Sequence, residues 1–425
     1  MKYKEIIIKT IAEFCRLLIG VVFVFSGFVK AIDPMGFIIK IDDYLGAFGM
    51  DSLRPLAIVV AFFLIALEFI LGISLLLGVY RKYVSLLTLA FMMVMTPLTL
   101  YLAIFNPVTD CGCFGDALII TNWQTFFKNA VLLSAVIFLL FHNRKLFSIY
   151  TPKTRWFVPL FAFLYCILFA SWNYNHLPFI DFRPYKVGVN IPEQMHIPEG
   201  APEDEYRYSF IYEKDGVKKE FSLDNYPEND SSWTFVESKT TLVKKGYAPP
   251  ITSFNIFSLE GNDVSDLLLE NPDDLFLLIA PHLEDASDER IDEITNIYEY
   301  TLAHHTPFFC VTGSSPEAIQ PWIERTGAEY PFLQADDVLL KTIIRSNPGL
   351  VWLRNGTIMM KWHYKDLPSE DEIDALLTGK ETVTKGKGWI LMNMLTFTLP
   401  LLLVWLYDYW FFRRKRQRTD VATTE

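Results

Sequence analysis

The chain reads as an α-helical membrane protein that carries one exported α/β domain. Three observations predict this. Hydrophobic residues fill 51% of 425 positions, yet 20% are charged, too many for a protein lying wholly in lipid. Six apolar runs reach spanning length. Charge is also divided: Asn175–Lys387 holds 37 Asp and Glu against 19 Lys and Arg, a net of −18, whereas the remainder is net +7. The acidic segment argues against nucleic-acid binding. Partners are expected to be the lipid bilayer and an exported protein.

The runs are Ile11–Ala31, Pro55–Val79, Val84–Phe105, Trp123–Phe141, Trp156–Trp172 and Trp389–Phe411. The first is no signal peptide, since it holds Glu13 and Arg16 and is followed by Lys30 and Asp33-Pro34 rather than a small-residue cleavage site. Basic clusters set the orientation. Lys2, Lys4 and Lys9, then Arg81-Lys82, then Arg144, Lys145, Lys153 and Arg155, then Arg413–Arg416 with Arg418, all fall on one side. Both termini are therefore expected in the cytoplasm of a bacterial inner membrane, with residues 175–387 periplasmic. Loops 32–54 and 106–122 share that outer side.

Loop 106–122 holds Asp110-Cys111-Gly112-Cys113-Phe114-Gly115-Asp116. Two sulfurs separated by one glycine form either a strained, easily reduced redox pair or a tight turn with inert thiols. The residues alone leave both readings open. Inside the spans, Glu68 near the middle of the second helix needs a partner or a proton. Arg16 lies about 9 Å away along the membrane normal, at 1.5 Å per residue, and is the expected partner. The alternative is that Arg16 snorkels to the inner surface and Glu68 is held by Ser or backbone groups. Lys30 is expected to snorkel outward. Gly20, Gly27, Gly72 and Gly78 permit close helix approach.

Arg16, Ser26-Gly27, Lys30 and Asp33-Pro34, then Glu68 with Gly72 and Gly78, then the Cys-Gly-Cys-Phe-Gly string resemble the DoxX/MauE group of four-helix membrane proteins. The resemblance covers about residues 10–145. It implies a link to maturation of disulfide-rich exported proteins, Cys111 and Cys113 as a redox pair, and, by analogy with quinone-linked disulfide-generating enzymes, a quinone as cofactor. Those enzymes use Cys-x-x-Cys and a second cysteine pair. This chain has neither.

The exported segment begins with a Pro- and aromatic-rich connector, Asn175–Gly200, expected to lie along the membrane. A hairpin follows at Arg207–Tyr212 and Val217–Ser222 around Lys214-Asp215-Gly216, with a third strand at Trp233–Glu237. Strands are then expected at Ile251–Ser258, Leu275–Ala280 and Phe308–Val311, and helices at Glu289–Leu302, Pro316–Thr326 and Asp337–Ile344. Asn347-Pro348 leads into a hairpin, Leu350–Arg354 and Thr357–Tyr364, before a last helix, Ser369–Leu377. This order resembles a thioredoxin fold, which implies that Pro348 is the cis-proline facing the active site. Where that family keeps its cysteines, this chain reads Ala280-Pro281-His282-Leu283-Glu284-Asp285-Ala286. His282 is expected to be an exposed loop residue, and Cys15, Cys166 and Cys310 to be packing residues. His304-His305 lack the partners of a metal site, and five cysteines lack zinc-site grouping.

The expected organisation is a four-helix membrane domain (1–147), a fifth helix (148–175), a connector with a small β region (176–248), a thioredoxin-like domain (249–380), a sixth helix (388–412) and a basic tail (413–425). The expected function is thiol–disulfide exchange with exported proteins through Cys111 and Cys113. The competing reading is a non-enzymatic assembly factor whose domain docks a protein and whose cysteines are structural.

Overall fold

The computed structural model describes residues 2–108, 110–142, 146–214, 216–227, 230, 232–244, 246–378 and 388–413. Arg144 and Lys145, the turn residue Asp215 and the tail beyond Arg413 lie outside the described residues. Six helical stretches are long and apolar enough to cross a membrane: Tyr3–Ile32, Asp51–Leu77, Arg81–Phe105, Asn122–His142, Phe157–Asn175 and Gly388–Phe412. They belong to helices α1 (Lys2–Ile32), α3 (Ala57–Leu77, with the short turn before it), α4 (Arg81–Phe105), α5 (Asn122–His142), α6 (Phe157–Asn175) and α13 (Gly388–Asp408, with the turn after it). Between α1 and α3 the chain forms α2 (Pro34–Ala47), a helix the loop had not suggested. Asp33 caps it by accepting from Gly36 N at 2.8 Å.

Lipid gives apolar helices no hydrophobic reason to associate, so contact geometry decides which ones pair. Helices α1 and α3 touch through glycine. A Cβ on Gly72 would sit 2.6 Å from Val24 N, and one on Gly27 would sit 2.8 Å from Phe69 N. Gly78 has another task, ending α3 in the left-handed conformation at φ 69°. Helix α6 packs on α1 and α3 through Val158, Ala162, Cys166 and Ala170. Helix α13 leans on α6 and on the segment before it, where Tyr150 donates to Leu401 O at 2.8 Å and Thr154 to Asp408 at 2.6 Å.

After α6 the chain leaves the bundle. The connector contributes Tyr185 and, at the start of the short helix α7 (Ile191–Met195), Ile191 to the core of the following domain. It does not simply lie along the membrane, because its apolar residues find a better-packed site on the sheet. A separate antiparallel sheet follows, ordered β2-β1-β3, from β1 (Glu205–Lys214), β2 (Val217–Ser222) and β3 (Thr234–Lys244). The third strand is longer than its alternating residues suggested.

The larger sheet has six strands: β4 (Ile256–Ser258), β5 (Asp274–Ala280), β6 (Phe308–Thr312), β7 (Phe332–Ala335), β8 (Gly349–Arg354) and β9 (Thr357–His363), ordered β4-β7-β6-β5-β8-β9. Strands β5, β6 and β7 run parallel, whereas β4, β8 and β9 pair antiparallel. After α8 (Ser265–Leu269), the helices α9 (Ile291–Ala303), α10 (Pro316–Thr326) and α12 (Glu370–Leu377) cover one face. Helix α11 (Asp337–Ile343), α8 and the connector cover the other. With helices on both faces, the central strand β5 is buried almost throughout. The parallel β-α-β unit, the closing antiparallel hairpin and the cis Asn347–Pro348 bond before it make this a thioredoxin-like domain. Strand β7 was missed in the sequence, and β4 is shorter than expected, because Ile251 and Phe254 enter the core without pairing.

Candidate functional site

The loop between α4 and α5 is held at its base by Asn122, whose amide donates to Asn106 Oδ1 at 2.8 Å and Val108 O at 3.0 Å. Asp110 Oδ1 accepts from Gly112 N at 2.9 Å, and Gly115 N donates to Gly112 O at 3.1 Å. Gly112, at φ 63°, takes the left-handed conformation this turn requires. Two closely spaced turns thus bring Cys111 Sγ and Cys113 Sγ to 2.9 Å, both buried at 5% and 7% exposure. Two hydroxyls fix the backbone on either side of Gly112: Tyr44 donates to Cys111 O and Ser26 to Cys113 O, each at 2.7 Å. Above the loop, Lys40 reaches Asp110 Oδ2 at 2.9 Å, with its aliphatic chain against Gly112.

The two sulfurs are electrostatically unequal. Contact with Cys111, helped by the Lys128 and Lys30 charges and against the cost of burial, holds the Cys113 thiol below its ordinary range. The same contact, with burial, pushes Cys111 well above that range. Of the two thiols, Cys113 therefore loses its proton more readily.

Beneath the loop, Lys30 Nζ binds both Glu68 oxygens at 2.7 and 2.8 Å, and Ser26 Oγ lies 2.7 Å from Glu68 Oε2. This corrects two expectations. Glu68 does not pair with Arg16, and Lys30 does not snorkel. Ser26 and Lys30 stand one turn apart on the face of α1 that meets α3, so the close helix contact delivers Lys30 to Glu68 and spares both ions an unpaired burial. Arg16 works at the opposite end of the bundle. There it binds Glu13 at 2.7 Å and the terminal α3 carbonyls of Leu75 and Leu76, satisfying acceptors that a helix end leaves open.

The thioredoxin-like domain sits against the same end of the bundle and encloses a cleft of about 470 Å³ with it. Arg345, at the end of α11, binds Asp33 at 3.0 Å and Asp116 at 3.1 Å, tying the domain to the loop that carries the cysteines. His282 faces the domain's side of this region, 3.4 Å from Asp337, which itself lines the cleft. Asn347 donates to His282 O at 2.7 Å, so Pro348 and the cysteine-free 280–286 loop are neighbours, as in a thioredoxin-like active site. Cys310 is buried in β6 and its thiol is pushed up by burial. His304 and His305 end α9 as expected, and among the described residues no cluster of His, Cys, Asp and Glu suits a metal ion. Sequence reasoning missed Lys128 and Arg345. Neither lies near the cysteines in the chain.

Residues 8–142 match the family model described as methylamine utilisation protein MauE. The N-terminal bundle is a MauE-type domain. Residues 206–245, the small sheet, match a domain of unknown function. No curated protein matches the chain. Among solved structures, a secreted Mycobacterium tuberculosis disulfide oxidoreductase homologous to E. coli DsbE is similar at 14% identity and a TM-score of 0.24, covering 30% of this chain and 95% of that one. A candidate protein disulfide isomerase from Bacteroides thetaiotaomicron is similar at 18% identity and a TM-score of 0.23, covering 33% and 90%. The thioredoxin-like assignment rests on strand order and helix placement, independently of these similarities. The protein is thus a multi-pass membrane chain joining a MauE-type bundle to a thioredoxin-like domain.

Proposed function

We propose that the protein exchanges disulfides with exported proteins at the outer face of a bacterial inner membrane, through Cys111 and Cys113. Both termini lie in the cytoplasm in this reading, and residues 175–387 lie in the periplasm. The carrying observation is the Cys111–Cys113 contact of 2.9 Å with one sulfur biased to thiolate, beside a cleft walled by a thioredoxin-like domain. In the oxidising direction a client thiolate bonds to Cys111 Sγ, and the Cys111–Cys113 bond breaks with its electron pair leaving on Cys113. The client's second thiolate then bonds to the first client sulfur and releases Cys111. The client becomes a disulfide and the pair a dithiol. Cys113 suits the leaving role because the Lys128 and Lys30 charges favour the sulfur that carries away the electron pair. Lys40 and Asp110, both part-exposed, cover the loop and must part for a client to enter.

In the reverse direction the Cys111 thiolate bonds to one sulfur of a client disulfide, whose other sulfur leaves with the electron pair, and Cys113 then attacks Cys111 Sγ to release the client. Cys113→Ser removes this resolving sulfur and should hold clients on Cys111 as mixed disulfides, seen on non-reducing gels after alkylation in intact cells. Clients trapped in Cys113→Ser and absent in Cys111→Ser/Cys113→Ser support the proposal. Burial of both sulfurs favours the second reading, an assembly factor with a structural turn. No adduct, together with a double variant that keeps full function and loses only stability, would establish that reading instead.

A further inference from the structure

Lys30 and Glu68 connect two spaces. Lys30 lines the cleft between bundle and domain. Glu68 lines a second, small cavity in the bundle, shared with Ser26, Cys113, Lys128 and Asn129 and otherwise walled by apolar side chains. That cavity measures about 20 Å³, room for one water molecule, with Ser26, Glu68, Lys128 and Asn129 as polar groups at its wall. An ion pair buried at this depth is costly to keep, and ionisable groups inside a membrane bundle commonly mark a path for ions or protons.

The hydrogen-bond count sharpens the point. Ser26 Oγ lies 2.7 Å from Glu68 Oε2 and 2.7 Å from the Cys113 carbonyl. A hydroxyl has one proton, and a peptide carbonyl never donates. The Ser26 proton therefore goes to one of them at a time, and Lys30 Nζ, 3.3 Å from the same oxygen, donates to both carboxylate oxygens of Glu68. Ser26 thereby joins the Lys30–Glu68 pair to the Cys113 backbone.

We infer that Lys30 and Glu68 form a proton relay between the cleft and Cys113 Sγ, an inference that rests on the exchange function proposed above. When the Cys111–Cys113 bond breaks and its electron pair leaves on Cys113, the sulfur takes a proton from Glu68 through the cavity water. Glu68 is recharged from the cleft by way of Lys30. When a dithiol is oxidised in the other direction, Cys113 returns its proton along the same route. Over a full oxidation of a client dithiol, two S–H protons leave the client for solvent and two arrive on Cys111 and Cys113, so charge and electrons balance. Lys30 and Glu68 are positioning residues here, since they act on the sulfur through water.

The test uses full-length protein in detergent, oxidised with diamide and then reduced with dithiothreitol between pH 5 and 8, in H₂O and D₂O. Reduction is quenched by alkylation and read from the mass of the peptide holding both cysteines. Glu68→Gln should slow reduction about a hundredfold relative to wild type on the acid side, the lower end of what a positioned proton donor contributes, and should lose the solvent isotope effect. Glu68→Asp should stay within about threefold of wild type, and Ser26→Ala, which leaves the ion pair in place, should fall between the two. A folded Glu68→Gln protein with wild-type rate, pH profile and isotope effect overturns the relay and leaves the exchange reading standing. A wild-type pair that cannot be oxidised at all overturns the exchange reading and the relay with it.

Discussion

Lys30 in the bundle and Lys361 in the thioredoxin-like domain have side chains exposed to the same slight degree, and each meets a carboxylate within 2.8 Å. Their surroundings differ. Lys361 donates to Asp181 and to the carbonyls of Tyr185 and Ile343, oxygens from the connector and from the end of α11, so its three protons are all used in fastening these segments to the sheet. Burial still lowers it to about 8. Lys30 spends its bonds on one carboxylate and a serine, and that pair leads to Cys113. A buried lysine whose protons all end on fixed acceptors is a staple. One whose partner carboxylate lines the same cavity as Cys113 stands where the proposed exchange takes place.

The contrast can be broken by deletion. Lys30→Met leaves Glu68 without the cation it pairs with and should destabilise the bundle by about 3–5 kcal/mol, with Lys30→Met/Glu68→Leu recovering much of the loss. Lys361→Met is gentler, about 2–3 kcal/mol, because Asp181 keeps Arg183 at 2.8 Å. Hydrogen exchange of the full chain in detergent separates the two, since the first loss appears in α1 and α3 and the second around residues 181–185.

His363 carries the contrast to a group that the domain keeps uncharged. Burial, only partly offset by Asp366, lowers it to about 4 from an ordinary 6.5. As pH falls below 6.5 the unfolded chain binds this proton first, so the domain loses stability down to about pH 4, on the order of 2 kcal/mol. Thermal melts of wild type and His363→Phe across pH 4–7 check this, and the variant should show the shallower slope. A smaller effect is expected at the join. Arg345→Ala frees Asp33 and Asp116, which are both able to meet solvent, and should raise amide exchange in residues 110–116 roughly tenfold, equivalent to about 1.4 kcal/mol of local opening. Unchanged exchange there would mean that the domain and the cysteine loop are not mechanically joined.

Hydropathy made the six spans legible, because lipid demands long apolar runs whatever their neighbours. The Cys-Gly-Cys turn was legible because its geometry is local. The partner of Glu68 was not. Depth along the membrane normal can be counted from sequence and matched Glu68 with Arg16, but pairing also needs the rotation of each helix. That rotation is set by Gly27 and Gly72, which turn Ser26 and Lys30 toward α3. Strand β7 escaped notice because four residues after Tyr330-Pro331 show too little alternation to stand out. Arg345 lies 312 residues from Asp33, and no local pattern reports a contact at that separation.

The domain is inserted between α6 and α13, so its chain enters from one membrane helix and returns to another. Fastening at both ends turns any encounter between a polypeptide held by the domain and the Cys111–Cys113 loop into an intramolecular event. Short tethers of this kind give effective concentrations in the millimolar range. Grip on a client can then be weak and brief, and release after exchange correspondingly quick, without loss of encounter frequency.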